Sequence, residues 1–242
     1  MTHEKQVALI TGANKGIGLE IARQLAQQNF TVLIGARDAQ RGEAAADLLR
    51  AEGLDAHALV LDVTDAASVQ AAVAQLDERF GRLDALVNNA GVSLDDVVPS
   101  TLPMEVLRTT FETNVFGVVQ VTQALLPLLR AAPAARIVNM GSAMGSLTLT
   151  SDPNNLRSSY WLLAYASSKS ALHALTVQFA NELRETGIKV NAADPGYVAT
   201  DMTGQQGFNS LQDGALPAVR LATLPGDGPT AGLFSIDGPA PW

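Results

Sequence analysis

The chain predicts an α/β fold: a doubly wound, mostly parallel sheet of seven strands with helices on both faces. Three observations carry this expectation. Apolar, β-rich runs alternate with Ala-rich helical runs from one end to the other, without a linker or a fixed-period repeat; strict alternation of β and α calls for right-handed crossovers. Strand runs such as Val7–Ile10 and Ala85–Val87 are apolar without polar alternation, as strands covered on both faces are. The 242 residues are 47% hydrophobic and 17% charged, enough for one large core and unlike a solvated disordered chain.

The first strand spans 7–11. A helix from about Gly16 to Gln28 follows, with Ile17, Ile21, Ala22 and Leu25 on its apolar stripe and Glu20, Arg23, Gln24 and Gln27 facing away. A strand over 31–36 leads to a helix over 39–51. A strand over 56–63 leads to a helix over 66–80, with Asp65 as its N-cap. The fourth strand, 83–88, precedes a long helical stretch over 103–131. The fifth, 136–140, leads through a loop to a helix over 159–186, stopped by Gly187. The sixth, 189–194, leads through a second loop to a short helix over 211–224, and a strand over 232–236 closes the sheet. Residues 1–242 thus read as one domain with two long loops, at about 143–160 and 197–214.

Composition excludes several classes. Sixteen Lys and Arg against 24 Asp and Glu give a net charge of −8, so no global basic field attracts nucleic acid. There are no cysteines, and the three histidines, His3, His57 and His173, are far apart; disulfides and thiol chemistry are impossible, and no metal is expected. No apolar run reaches the length of a bilayer span. The opening Met1–Lys5 lacks the apolar region of a signal peptide. A cytoplasmic protein without membrane partners is expected.

Thr11-Gly12-Ala13-Asn14-Lys15-Gly16-Ile17-Gly18 lies between a strand and a helix, where free amides and the positive helix end hold phosphate. Glycines there permit a sharp turn and close approach of a pyrophosphate. The spacing Gly-x3-Gly-x-Gly differs from the usual dinucleotide fingerprint and, with no Lys-Ser/Thr pair following, from a P-loop. On spacing alone, nucleotide binding and a plain tight turn are both open.

Further landmarks follow in order: Asn88-Asn89-Ala90-Gly91 after the fourth strand; Asn114 in the following helical stretch; Ser142 past the fifth strand; Tyr165-Ala166-Ser167-Ser168-Lys169 on the long helix; and Pro195-Gly196 after the sixth strand. Together with the glycine turn they resemble the short-chain dehydrogenase/reductase family end to end, and the closing Asp237–Trp242 resembles its carbonyl-reductase-type members. The resemblance implies a Rossmann-type sheet with strands ordered 3-2-1-4-5-6-7. It implies an oxidoreductase that interconverts ketones or aldehydes and alcohols with NADP(H), and homodimers or homotetramers, as many relatives form.

An acid ending the second strand would bond a ribose 2′-OH and select NAD. That strand ends Ile34-Gly35-Ala36-Arg37. Comparison with the family puts Ala36 at the acid's place and Arg37 where a 2′-phosphate would sit, with Lys15 in reach; the planar Arg fork suits phosphate. Asp38 leaves an alternative open, by pairing with Arg37 or contacting a ribose. Asp62 and Val63 resemble the adenine contact, and Thr200 the nicotinamide-amide contact. The remaining cofactor contacts implied are Gly12, Asn14, Gly16, Ile17, Gly18, Asn89, Ala90, Gly91, Tyr165, Lys169, Pro195, Gly196 and Val198, with one of Asn88 and Asn89 tying the sheet.

Tyr165 and Lys169 are four apart on a helix and share a face. A nearby ammonium favours the phenolate and lowers the tyrosine pKa toward neutrality. By resemblance, Tyr165 protonates the carbonyl oxygen, Ser142 hydrogen-bonds it, Lys169 binds the nicotinamide ribose and Asn114 holds a water that links Lys169 to solvent. Ser142 and Tyr165 stand 23 positions apart, further than in most members. The extra segment carries a Pro153 turn and then Tyr160 and Trp161, read as pocket wall or as packing; it overhangs the site or covers a subunit interface. The Tyr197–Gly214 loop reads as a mobile lid. Met144, Leu147, Trp161, Tyr197 and Met202 are candidate pocket residues. An apolar pocket suits ketones and aldehydes. The alternatives are an NAD-dependent alcohol or hydroxysteroid dehydrogenase and a catalytically idle NADP-binding regulator.

Overall fold

Alternate residues of each strand point to opposite faces, and in this chain both sets are apolar. In the computed structural model, which describes residues 5–242, Ala8 and Ile10 fall in one core cluster and Val7 and Leu9 in another. The opening residues 1–4, with His3, lie outside the described residues.

The strands are β1 (Val7–Thr11), β2 (Thr31–Ala36), β3 (Ala56–Val60), β4 (Ala85–Asn88), β5 (Arg136–Met140), β6 (Lys189–Ala193), β7 (Leu233–Ser235) and β8 (Gly238–Ala240). The helices are α1 (Gly16–Gln27), α2 (Ala39–Ala51), α3 (Ala66–Phe80), α4 (Met104–Phe111), α5 (Gly117–Ala131), α6 (Leu147–Thr150), α7 (Leu163–Glu182) and α8 (Leu211–Ala222). The sheet runs β3-β2-β1-β4-β5-β6-β7-β8. It has eight strands, where seven were expected: β8 folds back antiparallel on β7, pairing Leu233 with Ala240. Every other neighbouring pair is parallel. One core joins the sheet to Ile21 and Leu25 of α1, Leu49 of α2 and Leu221 of α8. The other joins it to Leu76 of α3, Leu125 of α5 and Phe179 of α7. This is a doubly wound, Rossmann-like sheet.

Four local expectations need correction. Glu20 does not face solvent: it is buried, and its carboxylate accepts hydrogen bonds from Arg23 and Gln24. β3 ends at Val60, because Asp62 turns the chain by accepting the Thr64 amide at 2.9 Å. The stretch over 103–131 is not one regular helix, since α4 and α5 are joined by a π-turn, Glu112–Phe116, that contains Asn114. α7 begins at Leu163 rather than Ser159, the preceding residues forming a separate 3-10 turn, Leu156–Ser159. Asp65 does cap α3 through the Ala67 amide, and Gly187 does take the left-handed conformation at φ 79°.

Candidate active site

The glycine turn is built against the end of β4. The Thr11 hydroxyl accepts the Asn89 and Ala90 amides at 3.0 and 2.9 Å. Asn89 returns its side-chain amide to the carbonyls of Thr11 (2.8 Å) and Gly12 (3.2 Å). A Cβ on Gly12, whose φ is 63°, would stand 2.9 Å from Ala90 Cα, and one on Gly18 would stand 2.4 Å from Asn89 Nδ2. Glycine is required at both places for the two segments to meet. Gly16, at φ 60°, has open space where a Cβ would be. Lys15, the N-cap of α1, makes no capping hydrogen bond with its side chain, which leaves the first-turn amides to a ligand phosphate. Asn14 and Ile17 are half-buried beside this turn. A dinucleotide fits these residues. Asn88 takes the other part: its amide donates to Asn139 and Thr122, and Asn139 donates to Thr176, a buried network between sheet and helices.

Arg37 is exposed just past β2. Asp38 neither pairs with it nor reaches inward; it caps α2 by accepting the Arg41 amide at 2.9 Å. Lys15 does not sit with Arg37 but bridges to Asp201 at 2.6 Å. The Thr64 amide holds the Asp62 carboxyl below its ordinary range, burial opposes, and the charge of Arg37 adds to the lowering. Val63 is buried beneath α5, where a Cβ on Gly117 would touch it at 2.9 Å.

Ser142, Tyr165 and Lys169 converge past the carboxyl end of β5. The Ser142 hydroxyl oxygen accepts the Met144 amide at 3.1 Å, and the same hydroxyl hydrogen-bonds Tyr165. Gly145 packs directly on α7: a Cβ there would stand 2.7 Å from Lys169 Cβ. Lys169 donates to the Met140 carbonyl at 2.6 Å and lies 5.5 Å from the centre of the Tyr165 ring. Burial pushes the Tyr165 phenol up to about 12; a hydrogen bond with Ser142 lowers it and the charge of Asp194 raises it. Burial also pushes the Lys169 ammonium down to about 8, against Asp194. The expected lowering of the tyrosine pKa is therefore reversed. Burial strips hydration from the phenolate, and the charge of Asp194 adds to that cost.

Asn114 is buried on the π-turn, a distortion often found at functional sites. It accepts the Val92 amide and donates to the Val92 carbonyl, both at 2.8 Å, and donates to Ser168 at 3.0 Å. A Cβ on Gly91 would meet Asn114 Oδ1 at 3.3 Å and Lys169 Nζ at 3.7 Å, so the two polar groups border one small space. Among the expected pocket residues, Met144 is half-buried, while Leu147, Trp161, Tyr197 and Met202 are exposed. The 197–214 loop is internally bonded: Val198 bridges Asn209, Thr200 and Thr203 form a reciprocal cap, and Tyr197 meets Phe208 edge-on at 5.8 Å. Gly196, at φ 71°, turns the chain after Pro195, and the Asp194 carboxylate accepts its amide. A surface groove of about 500 Å³ along α3 and α5 shares no residue with the site and has no ionisable side chain in its lining. Sequence reading missed Asp95 and His173, whose partners are distant in the chain, and Asp194, whose charge acts on Tyr165 and Lys169; no local pattern marks them.

A phosphate-binding turn at the switch point of a doubly wound sheet, with a Ser–Tyr–Lys group beside it, defines a nicotinamide-dependent oxidoreductase. The short chain dehydrogenase model matches residues 6–209, and the chain belongs to that family. A short-chain dehydrogenase of Penicillium roqueforti is 40% identical over 90% of this chain and 89% of its own. The (−)-isopiperitenone reductase of Mentha piperita is 33% identical, with 98% of each chain covered. Among solved structures, NADPH-bound carbonyl reductase from chicken fatty liver superposes with a TM-score of 0.87 at 28% identity, over 99% of this chain and 100% of that one. Members of the family bind a nicotinamide cofactor and act on carbonyl or alcohol groups. No helix of the described residues is long and apolar enough to cross a membrane.

Proposed function

We propose that the protein reduces apolar ketones and aldehydes to alcohols with NADPH, Tyr165 giving the proton. The convergence of Ser142, Tyr165 and Lys169 around one point carries the reading. Bound beside them, NADPH supplies the hydride. Ser142, its hydroxyl oxygen anchored by the Met144 amide, donates to the substrate oxygen and stabilises negative charge developing there. Tyr165, kept neutral by burial, is a phenol throughout the neutral range and so carries the proton that it gives. Lys169, fixed by Met140, stands beside the ring to orient it and to return the proton. The space bordered by Asn114, Gly91 and Lys169 suits a relay water. Gly12, Gly16, Gly18, Asn89, Ala90 and Gly91 line the dinucleotide path, and Pro195, Gly196, Val198 and Thr200 its nicotinamide end. Exposed Leu147, Trp161, Tyr197 and Met202 give the substrate side an apolar rim.

Arg37 supports NADPH over NADH. Its neighbour Asp38 is taken up by the cap of α2 and does not pair with it, and Lys15 can leave an exposed ion pair for a 2′-phosphate. The test is a ketone and aldehyde panel with both cofactors, on wild type and Arg37→Ala. Hydrogen bonds to charged groups contribute about 1.5–3 kcal/mol, so NADPH affinity should fall roughly ten- to a hundredfold while NADH changes little. Equal losses, or a wild type that prefers NADH, would remove the 2′-phosphate role.

A further inference from the structure

Tyr165 must be held in place by the first turn of α7, and that turn has no local cap. The residue before it, Leu162, has no side chain able to accept the free amides. A helix start leaves such amides without intrahelical partners. Here they are met by a residue 70 positions earlier in the chain. One oxygen of Asp95 accepts the Ala164 amide at 2.7 Å, and the other accepts the amide of Tyr165 itself at 2.9 Å. A carboxylate at this end of a helix is also favoured by the helix dipole.

The carboxylate is itself anchored. Asp95 lies three residues beyond Val92, whose amide and carbonyl are both held by Asn114. Asn114 also bonds Ser168 on α7. The short strap over 92–95 is thus fixed to the π-turn at one end and to the catalytic helix at the other. We infer that Asp95 is a positioning residue for Tyr165: it supplies the missing N-cap of α7 from across the site and sets the height and direction of the phenol. The inference rests on the reading of Tyr165 as proton donor.

The experiment compares Asp95→Ala, Asp95→Asn and the double variant Asp95→Ala/Leu162→Ser, each with NADPH and one ketone reduced by wild type. The serine restores a cap from the local N-cap position, so it replaces the hydrogen bonds without replacing the carboxylate. Small displacements of a reacting group cost up to about a hundredfold in rate. The expected result is a ten- to hundredfold fall in kcat for Asp95→Ala with NADPH affinity within about twofold of wild type. Asp95→Asn, which keeps one acceptor, recovers part of the rate, and the double variant recovers most of it. If Asp95→Ala does not fold, a soluble and active double variant carries the same conclusion. An Asp95→Ala enzyme with wild-type kcat, or a double variant as slow as or slower than the single one, overturns the inference. Tyr165→Phe in the same series separates the two readings: if it stays active, the proton-donor role fails, whereas an inactive Tyr165→Phe beside a fully active Asp95→Ala sinks the cap alone.

Discussion

His173 shows how one side chain ties chemistry to stability. It follows Lys169 by one helical turn and is buried. Its Nε2 accepts the Ser142 amide at 3.4 Å, and its ring packs on Trp242 with centroids 5.1 Å apart. Gly141 makes this approach possible, since a Cβ there would stand 2.8 Å from Nε2. Burial pushes the imidazole down to about 4; the charge of Lys169 adds to this, and a backbone hydrogen bond at Gly145 opposes it. The unfolded chain binds this proton near pH 6.5 and the folded chain only near 4. Stability from the neutral ring is therefore complete above pH 6.5 and is lost as pH falls toward 4. Thermal melts should show a decline over that range, worth up to about 3 kcal/mol, that His173→Gln flattens. An unchanged acid slope in His173→Gln would assign the decline to carboxylates. None of this was legible in the sequence, where His173 is one more residue of an Ala- and Leu-rich helix. By contrast, Gly12, Gly16 and Gly18 announced themselves by their spacing: Gly12 and Gly18 leave no room for a Cβ against Ala90 and Asn89, and Gly16 stands at φ 60° with open space beside it.

The elements between Ser142 and Tyr165 carry the selectivity argument. Alternating apolar and polar runs could place β5 and α7, but not the three short helical pieces between them. Each of those pieces is set by a single cap: Ser142 on Met144, Ser146 on Leu149 and Asn155 on Arg157. Short turns have no periodicity to read. The same holds for the π-turn at Asn114, which a helical pattern cannot distinguish from regular helix, and for β8, whose three residues include Pro239. The segment is tied to the far end of the chain by the Thr148 amide donating to the Trp242 carbonyl at 3.1 Å. It leaves Leu156, Tyr160 and Trp161 exposed. Shortening it between Leu149 and Ser158, or changing Trp161 to Ala, should alter which ketone is favoured or which enantiomer forms, while NADPH affinity stays nearly constant. Chiral product analysis over the panel and a cofactor titration check this. Unchanged selectivity with a changed oligomer size would place the segment at an interface.

At the scale of the molecule, the two-sided core was readable because strands such as β1, β2 and β4 are buried along their whole length, whereas the sheet order was readable only through resemblance. The convergence of the site was readable only through resemblance, since β1, β4, β5, β6 and the long helix meet there from separate parts of the chain. What the sequence could not convey is the balance between charge and burial. An ammonium four residues from a phenol suggests an acidified tyrosine, yet desolvation keeps Tyr165 protonated and draws the Lys169 ammonium down to about 8. The proposed role of Tyr165 as proton donor in carbonyl reduction is open to a direct test. Tyr165→Phe removes one oxygen and little volume, so it should melt close to wild type and keep its NADPH affinity. Its single-turnover rate of ketone reduction, measured at saturating NADPH, should fall by several orders of magnitude. A folded, NADPH-saturated Tyr165→Phe enzyme that reduces the ketone at close to the wild-type rate would contradict it.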